Sequence, residues 1–423
     1  MKHPFESYGF YKISLVSKYI IRTKVKMKDP VDIVALRKAV NIATRRYPYF
    51  MVKVEIDPEG SYVLVPNDHD IAVVPTSEKN PDLCTEEVGF HLLYVDCAEK
   101  DIYFNISHAL AGGRGMSPWL MTCVYQYIVE KYGVEPYAPA IRKPDSPLLE
   151  GETAEPTLEM TQDSERFDLQ RFKGGKILAL DYVNGLINPF LSSNEYFEIE
   201  FNQKDIMKYS KSSDNSVLTL FEVLMFKTLA KVYPKVNKFI GECAHNPSKD
   251  LGIPNTHNNL ISHVLFQFTR NMLDWDMEKL GTVARGSMYL QIDPLYSRNE
   301  VYRNIKLANE IDTVKGYKEK HRYEKKHSPT FKDGAVHGTF IVNYSGYMDW
   351  GEVADYMDGY YLIVDGHQML ELSAYGDKIF CCFMQVIRTD KYINAFKQVL
   401  DELQIPYSIR GPFKKGLVAH RIK

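Results

Sequence analysis

A proline-rich and acidic stretch divides this chain of 423 residues into two parts. Five prolines fall within the 21 residues from Pro136 to Pro156, and six acidic residues overlap them between Glu150 and Glu165. Proline fixes φ and removes a backbone donor, so regular structure is disfavoured here and a linker is predicted. The predicted divisions are an N-terminal lobe at 1–134, a crossover linker at 135–194 and a C-terminal lobe at 195–423.

Both predicted lobes mix strands with helices. In the N-terminal lobe, a helix with a 3.6-residue apolar period precedes a hairpin that turns at 58–60. In the C-terminal lobe, four apolar runs between 338 and 387 are predicted to form consecutive antiparallel strands. An amphipathic helix at 391–403 follows them. The predicted fold class is therefore α/β (α+β), with a mixed sheet flanked by helices in each lobe.

The charge balance and the hydrophobic pattern exclude several classes of protein. With 52 Lys and Arg against 54 Asp and Glu, the chain lacks the basic excess of a dedicated nucleic-acid binder. Its longest apolar helical stretch, 116–129, is shorter than the ~20 residues that span a bilayer and is interrupted by polar residues. The polar N-terminus, residues 1–12, does not resemble a signal peptide. We expect a cytoplasmic monomer with no nucleic-acid partner and no membrane span.

Six cysteines are present, and their spacing gives no sign of metal or redox chemistry. None lies in a CxxC pair, and no Cys/His spacing matches a zinc site. We expect reduced, mostly buried thiols and no metal. Cys381 and Cys382 are neighbours in a predicted strand, so their side chains are expected on opposite faces of the sheet.

One segment combines the features of a proton-transfer site. A predicted strand over 101–106 leads to His108, and a turn with three glycines among four residues follows at 112–115. A helix is then predicted to begin near Ser117, with Ser117 as its N-cap and Pro118 in its first turn. A histidine at a strand end beside such a backbone is well placed to take a proton from a ligand. Taken alone, these residues also fit a structural histidine.

This segment resembles the HxxxDG motif of the chloramphenicol-acetyltransferase-like superfamily. That group includes condensation domains of peptide synthetases and bacterial alcohol-acetyltransferase-like proteins. His108 falls on the catalytic histidine and Gly113 on the motif glycine, whereas Gly112 stands where the family has aspartate. The order of predicted elements is similar too, as are the Asn258-Asn259 pair and the segment 340–346.

The resemblance implies an acyltransferase whose two lobes form a V-shaped pseudodimer with a tunnel between them. An acyl thioester, on coenzyme A or on the phosphopantetheine of a carrier protein, would meet a small alcohol or amine acceptor there. His108 would act as general base, with Asn343 and Ser345 as candidates for the tunnel wall or for oxyanion stabilisation. No permanently bound cofactor is implied.

Gly112 also raises a second interpretation. In the family, the motif aspartate pairs with an arginine of the second lobe, which would be sought near 243–250, and that stretch contains no arginine. Loss of both partners together costs less than leaving one buried charge unpaired. The alternative is therefore a non-catalytic binding or carrier-interacting protein on the same fold.

A basic segment in the second lobe has two possible roles. Residues 315–327 contain six Lys or Arg and two Glu, which gives a local charge of +4. This run fits either a phosphate-binding patch for a coenzyme or carrier arm, or a solvated helix face.

Overall fold

Two large β-sheets form the framework of the computed structural model, which describes residues 1–14, 18–164, 194–328, 340–364, 369–385 and 387–422. The strands are β1 (Ile20–Met27), β2 (Val52–Ile56), β3 (Tyr62–Pro66), β4 (Val73–Pro75), β5 (Leu93–Ala98), β6 (Asp101–Ser107), β7 (Glu195–Asn202), β8 (Lys238–His245), β9 (Ser262–Thr269), β10 (Phe340–Tyr347), β11 (Met357–Val364), β12 (Met369–Tyr375), β13 (Lys378–Met384) and β14 (Ser408–Lys414). The helices are α1 (Phe5–Gly9), α2 (Ile33–Thr44), α3 (Gly113–Tyr132), α4 (Gln203–Ser212), α5 (Val217–Val232), α6 (Met277–Gln291), α7 (Pro294–Thr313), α8 (Tyr317–His327) and α9 (Lys391–Glu402). This succession confirms the α/β class.

The first sheet places β6 at its centre. Its strand order is β11-β1-β6-β5-β4, and β6 runs antiparallel to both β1 and β5. Ile20, the first residue of β1, pairs with Ser107, the last residue of β6. The predicted hairpin is confirmed as the antiparallel pair β2–β3. His108 follows β6 directly, so it leaves the sheet between the neighbouring strands β1 and β5.

Of the four apolar runs between 338 and 387, β12 and β13 pair as consecutive antiparallel strands as predicted, but for β10 and β11 the prediction was wrong. Strand β11 joins the first sheet, antiparallel to β1, while β10 and β12 pair in parallel in the second sheet. The physical reason is burial: β11 packs Tyr360 and Ile363 in the first core, whereas β12 packs Leu370 and Leu372 in the second. The predicted strand start at 338–339 lies outside the described residues.

The second sheet contacts both hydrophobic cores. Its order is β14-β7-β13-β12-β10-β8-β9. On β13, Cys381 packs in the second core and Cys382 in the first, which confirms the prediction of opposite faces. All six cysteines are buried and free. The face of this sheet that carries Cys382 therefore closes over the first core.

Buried polar contacts also join the two predicted lobes. The Lys24 ammonium on β1 lies 2.8 Å from a Glu198 carboxylate oxygen on β7, and both side chains are buried. Nearby, the Tyr361 hydroxyl on β11 donates to Glu200, also at 2.8 Å. Since β11 belongs to the first sheet, strand pairing crosses the predicted division at 194/195. The lobes are thus one packed unit, and the exact division remains a prediction.

The predicted linker is described only over 135–164, and 165–193 lie outside the described residues. Over 135–164 it contains a 3-10 turn at Glu159–Thr161 and no helix or strand. Arg46, just beyond α2, donates two hydrogen bonds of 2.8 Å to the buried Glu152 carboxylate. This ion pair fastens the described part of the linker to the first lobe.

Helix α3 begins at Gly113, about four residues earlier than predicted. Gly112 is its N-cap, and Ser117 lies inside the helix, where its hydroxyl donates to the Gly113 carbonyl at 2.7 Å. The cause is a close approach of two backbones. A Cβ atom on Gly115 would lie 2.1 Å from the His257 carbonyl oxygen. The glycine-rich turn is therefore helical where it packs against the second lobe.

We expect Gly115→Ala to lower the free energy of unfolding by about 1–3 kcal/mol, because the added methyl group meets backbone that cannot move aside. Gly113→Ala is the matched control, since a Cβ atom there has no neighbour within 4 Å and alanine favours helix. Urea unfolding of the two variants measures the difference. Equal stabilities would contradict the close approach of α3.

Candidate active site

The end of β6 fixes the backbone of His108. Ser107 is the last residue of that strand, and the His108 amide donates to the Tyr19 carbonyl just before β1, at 2.8 Å. The His108 side chain has intermediate exposure. The histidine that the sequence singled out is thus held where β1 and β6 meet.

The hydrogen-bonding geometry around His108 is the basis on which we assign its ring proton. Nδ1 lies 3.2 Å from the Ala111 carbonyl oxygen and 3.0 Å from the Asn259 side-chain nitrogen. That amide nitrogen also lies 3.0 Å from the His108 carbonyl oxygen and 3.1 Å from the Tyr19 hydroxyl. Its two hydrogens are satisfied by those two oxygens, so we assign the Nδ1 proton to the bond with Ala111. Nε2 then keeps its lone pair.

The environment keeps this imidazole neutral. Desolvation lowers the pKa of His108 to about 4, against the partial opposition of the Ala111 and His108 carbonyls. At neutral pH the ring is therefore unprotonated at Nε2. An unprotonated nitrogen is the form that accepts a proton in general-base catalysis.

Tyr19 covers one face of the imidazole. The two rings are stacked, with centroids 4.9 Å apart and planes inclined by 22°. Tyr19 has a φ of 54°, in the left-handed region that non-glycine residues rarely adopt. Such a conformation persists when surrounding contacts hold it, and here the contacts are to His108 and Asn259.

Asn259 occupies the space beside Gly112. A Cβ atom on Gly112 would lie 2.8 Å from Asn259 Oδ1, so a larger side chain does not fit there unless Asn259 moves. Through its nitrogen, Asn259 ties the second lobe to the His108 carbonyl. This amide makes the cross-lobe contact to the histidine loop at the position where the resemblance implies an ion pair.

The C-terminal segment supports the same strand end from the other side. His420 Nε2 lies 2.8 Å from the Ser107 hydroxyl oxygen, which also accepts from the Ala109 amide at 3.3 Å. Desolvation lowers the pKa of His420 to about 4, so this ring is neutral too. Ser107, which precedes His108, is therefore held by a contact made far along the chain.

A small cavity of about 30 Å³ opens to solvent next to this site. Tyr19, Ala109 and Asn259 form its wall on the His108 side. The opposite walls come from α1, α7 and α8, and Lys12 adjoins them. Small-molecule sites usually have volumes of about 300–1,000 Å³, so this cavity has room for one group of a ligand and not for a whole small molecule. His108 thus lies beside a small cavity whose wall includes its contacts Tyr19 and Asn259.

Solved structures resemble the chain over nearly its whole length. The TRI3 trichothecene 15-O-acetyltransferase of Fusarium sporotrichioides is 9% identical, with a TM-score of 0.57 over 95% of this chain and 94% of that one. F. graminearum TRI101, solved with coenzyme A and deoxynivalenol, is 10% identical, with a TM-score of 0.59 over 97% and 99%. The condensation domain of the Monacolin K polyketide synthase MokA is 11% identical, with a TM-score of 0.53 over 95% and 97%. The chain has the chloramphenicol-acetyltransferase-like fold. No family model and no curated protein matches the sequence.

Asn343 and Ser345, both on β10 of this chloramphenicol-acetyltransferase-like fold, differ from each other in their hydrogen bonds. The Asn343 amide is engaged twice, donating to Glu371 at 2.7 Å and accepting from the Ala244 amide at 2.9 Å. It therefore joins β8, β10 and β12. Ser345 is exposed, and its hydroxyl makes no hydrogen bond with the described part of the chain. Neither residue has a described contact with His108, and their roles as tunnel or oxyanion residues remain predictions.

Two residues of the site carried little or no signal in the sequence. Tyr19 follows a β-rich run and has no motif of its own, so nothing marked it as a partner of His108. The sequence signal at Asn259 is limited to its place in the Asn258-Asn259 pair, which resembles the family. Its contact with Gly112 depends on how the two lobes pack in this fold, which sequence periodicity does not specify.

The basic segment forms helix α8, and its lysines are divided between two environments. Lys320 is buried and donates to the Ile311 carbonyl at 2.8 Å, whereas Lys318, Lys325 and Lys326 are exposed. Both interpretations of this helix therefore stay open.

Among the described residues, no cluster of His, Cys, Asp or Glu is suited to hold a metal ion. In the same part of the chain, no helix combines the length and the apolar character needed to cross a membrane.

Proposed function

We propose that this chain is an acyltransferase that moves an acyl group from a thioester to an alcohol or amine. The observation that carries the proposal is the distance of 3.2 Å between His108 Nδ1 and the Ala111 carbonyl oxygen, from which we assign Nε2 as the available base at the junction of two β-strands. The chloramphenicol-acetyltransferase-like fold supports it, because similarly folded proteins include a trichothecene 15-O-acetyltransferase and a polyketide synthase condensation domain.

In the proposed reaction, Nε2 of His108 takes the proton of the acceptor while the acceptor oxygen or nitrogen bonds to the thioester carbonyl carbon. The carbonyl π electrons move to the oxygen and form a tetrahedral intermediate. When the carbonyl reforms, the carbon–sulfur bond breaks, and the proton passes from the imidazolium to the leaving thiolate. The Ala111 carbonyl stabilises the charged ring throughout, since it already accepts from Nδ1.

The donor is proposed to be an acyl thioester of coenzyme A or of a carrier-protein phosphopantetheine. Binding of coenzyme A by TRI101 supports the first form, and the likeness to a polyketide synthase condensation domain supports the second. The chain needs no permanently bound cofactor for this chemistry, because the base and the positioning groups are its own residues.

The alternative is a non-catalytic binding or carrier-interacting protein, which Gly112 suggested. Asn259 weakens that alternative, because its amide supplies a contact that holds the His108 loop from the second lobe. The two functions are separated by incubating the full chain with acetyl-CoA and a panel of alcohols and amines. Mass spectrometry should detect an ester or amide together with stoichiometric free thiol. Binding of acetyl-CoA without product across the panel would favour the alternative.

The pH dependence of the reaction should reflect the lowered pKa of His108. A base with a pKa of about 4 is active above that pH, so kcat/KM should be flat from about pH 6 to 8 and fall by half near pH 4. An unperturbed histidine would place the midpoint near 6.5 instead. Initial rates from pH 4 to 8 measure it, with recovery of activity on return to pH 7 as the control for unfolding. A midpoint near 6.5 would contradict the desolvated site.

A further inference from the structure

Three side chains with a carboxyl or an ammonium group line the cavity beside His108, namely Glu6, Lys12 and Glu324. Glu6 is already engaged, because its Oε1 lies 2.6 Å from His257 Nε2. Its other oxygen has no described partner and remains able to accept a hydrogen bond. Desolvation raises the pKa of Glu324. Desolvation lowers the pKa of His257, but the hydrogen bond and the negative charge of Glu6 outweigh it and raise that pKa overall. The acidic lining is therefore largely compensated.

Lys12 is the cationic side chain in the lining of this cavity. It ends the 3-10 turn Phe10–Lys12, is exposed, and lines the cavity. Desolvation lowers its pKa, but attraction from Tyr19, Glu324 and Glu300 outweighs this and raises the pKa overall, so the ammonium is charged at neutral pH. Glu300 itself pairs with His263 at 2.7 Å. Within the described ranges, Lys12 has no carboxylate at ion-pair distance.

The rest of the lining supplies a second donor and an apolar wall. The Asn304 side chain on α7 faces the cavity and makes no hydrogen bond among the described residues. An amide nitrogen and an ammonium together suit a carboxylate or phosphate oxygen. The apolar part of the lining consists of Phe5, Leu307, Ala308 and Ile311.

We infer that this cavity binds an anionic group of a substrate through Lys12, with Asn304 as a second donor. The inference rests on the proposed function, since Tyr19 and Asn259 connect the cavity wall to His108. The class of acceptor is an alcohol or amine that also bears a carboxylate or phosphate. The phosphates of coenzyme A offer the same chemistry, so the test distinguishes the two sources.

The test measures equilibrium binding to the full chain by calorimetry, so it does not require turnover. Two matched pairs of probes are used: 4-hydroxybenzoate against 4-hydroxybenzamide, and coenzyme A against S-acetyl-N-acetylcysteamine, which lacks phosphates. Lys12→Gln removes the charge and Lys12→Arg keeps it. Lys318→Gln, on the exposed part of α8 and outside the cavity lining, is the control.

We expect the anionic member of one pair to bind about three- to tenfold more tightly, as for one partly exposed ion pair with an added hydrogen bond. That preference should vanish in Lys12→Gln and persist in Lys12→Arg and in the control. A preference within the benzoate pair assigns the anion to the acceptor, and one within the coenzyme pair assigns it to the donor. Affinities that do not respond to Lys12→Gln in either pair would overturn the inference. Absence of acyl transfer with Lys12-dependent binding intact would instead overturn the proposed function.

Discussion

His108→Ala should lower kcat for acyl transfer by about 10²–10⁴-fold, the usual contribution of a positioned general base. The side chain contributes no described hydrogen bond other than those around Nδ1, so its removal leaves the β1–β6 junction and the backbone bond to Tyr19 in place. We expect KM for the thioester to change little, because proton transfer is the step affected. Steady-state kinetics with acetyl-CoA and an accepted alcohol or amine measures both constants.

The matched control is His69→Ala, since His69 is exposed and lies outside the site. Its kinetics should equal those of the unaltered chain. Thermal unfolding of His108→Ala should stay within a few degrees of the parent, which separates loss of the base from loss of the fold. Full activity in His108→Ala would contradict its assignment as base.

Asn259→Ala should reduce kcat by about 10- to 100-fold, because the imidazole and its loop lose the amide that holds them in position. Two hydrogen bonds are lost with it, which should lower the free energy of unfolding by about 1–3 kcal/mol. Asn259 acts through His108, so it is a positioning residue. The pH midpoint should therefore shift toward 6.5 as water enters beside the ring. Asn255→Ala, which removes an exposed amide bonded to the Glu150 carbonyl, is the control.

A double-mutant cycle tests the contact between Asn259 and Gly112. Gly112→Asp alone should destabilise the fold by about 1–3 kcal/mol, because its side chain meets Asn259 Oδ1. In the Asn259→Ala background that cost should shrink, since the space is then open. Additive stabilities would show that the two side chains do not share this space.

For the single variant Asn259→Ala, an unaltered pH midpoint of kcat/KM would show that the residue is merely structural.

Periodicity and turn chemistry predicted most elements of the fold, because those signals are local. The hairpin β2–β3 and the strand leading to His108 are examples, and in both the pattern of buried residues is set within a few positions. The placement of β11 was missed, since its burial is satisfied by β1, more than 300 residues earlier in the chain. The start of α3 was missed because Gly115 is required by contact with His257, not by helix propensity.

The residues of the candidate site likewise fall into two groups, those that a local motif predicts and those that distant parts of the chain supply. His108, Gly112 and Gly113 could be found because they lie within one short motif. Tyr19, Asn259 and Lys12 converge on it from other segments, and only the packing of the lobes brings them there. A polar residue whose partners are distant in sequence leaves no periodic signal.

The protonation of the His108 ring tests the central claim most directly. In protein with ¹⁵N-labelled histidine, the two ring nitrogens give distinct chemical shifts for their protonated and unprotonated forms, and His108→Gln identifies the signals. We predict that at pH 7 Nδ1 of His108 carries the proton and Nε2 does not, and that this state persists to about pH 5. A proton on Nε2, or a ring that is already charged at pH 6, would contradict a general base that presents Nε2 to the acceptor.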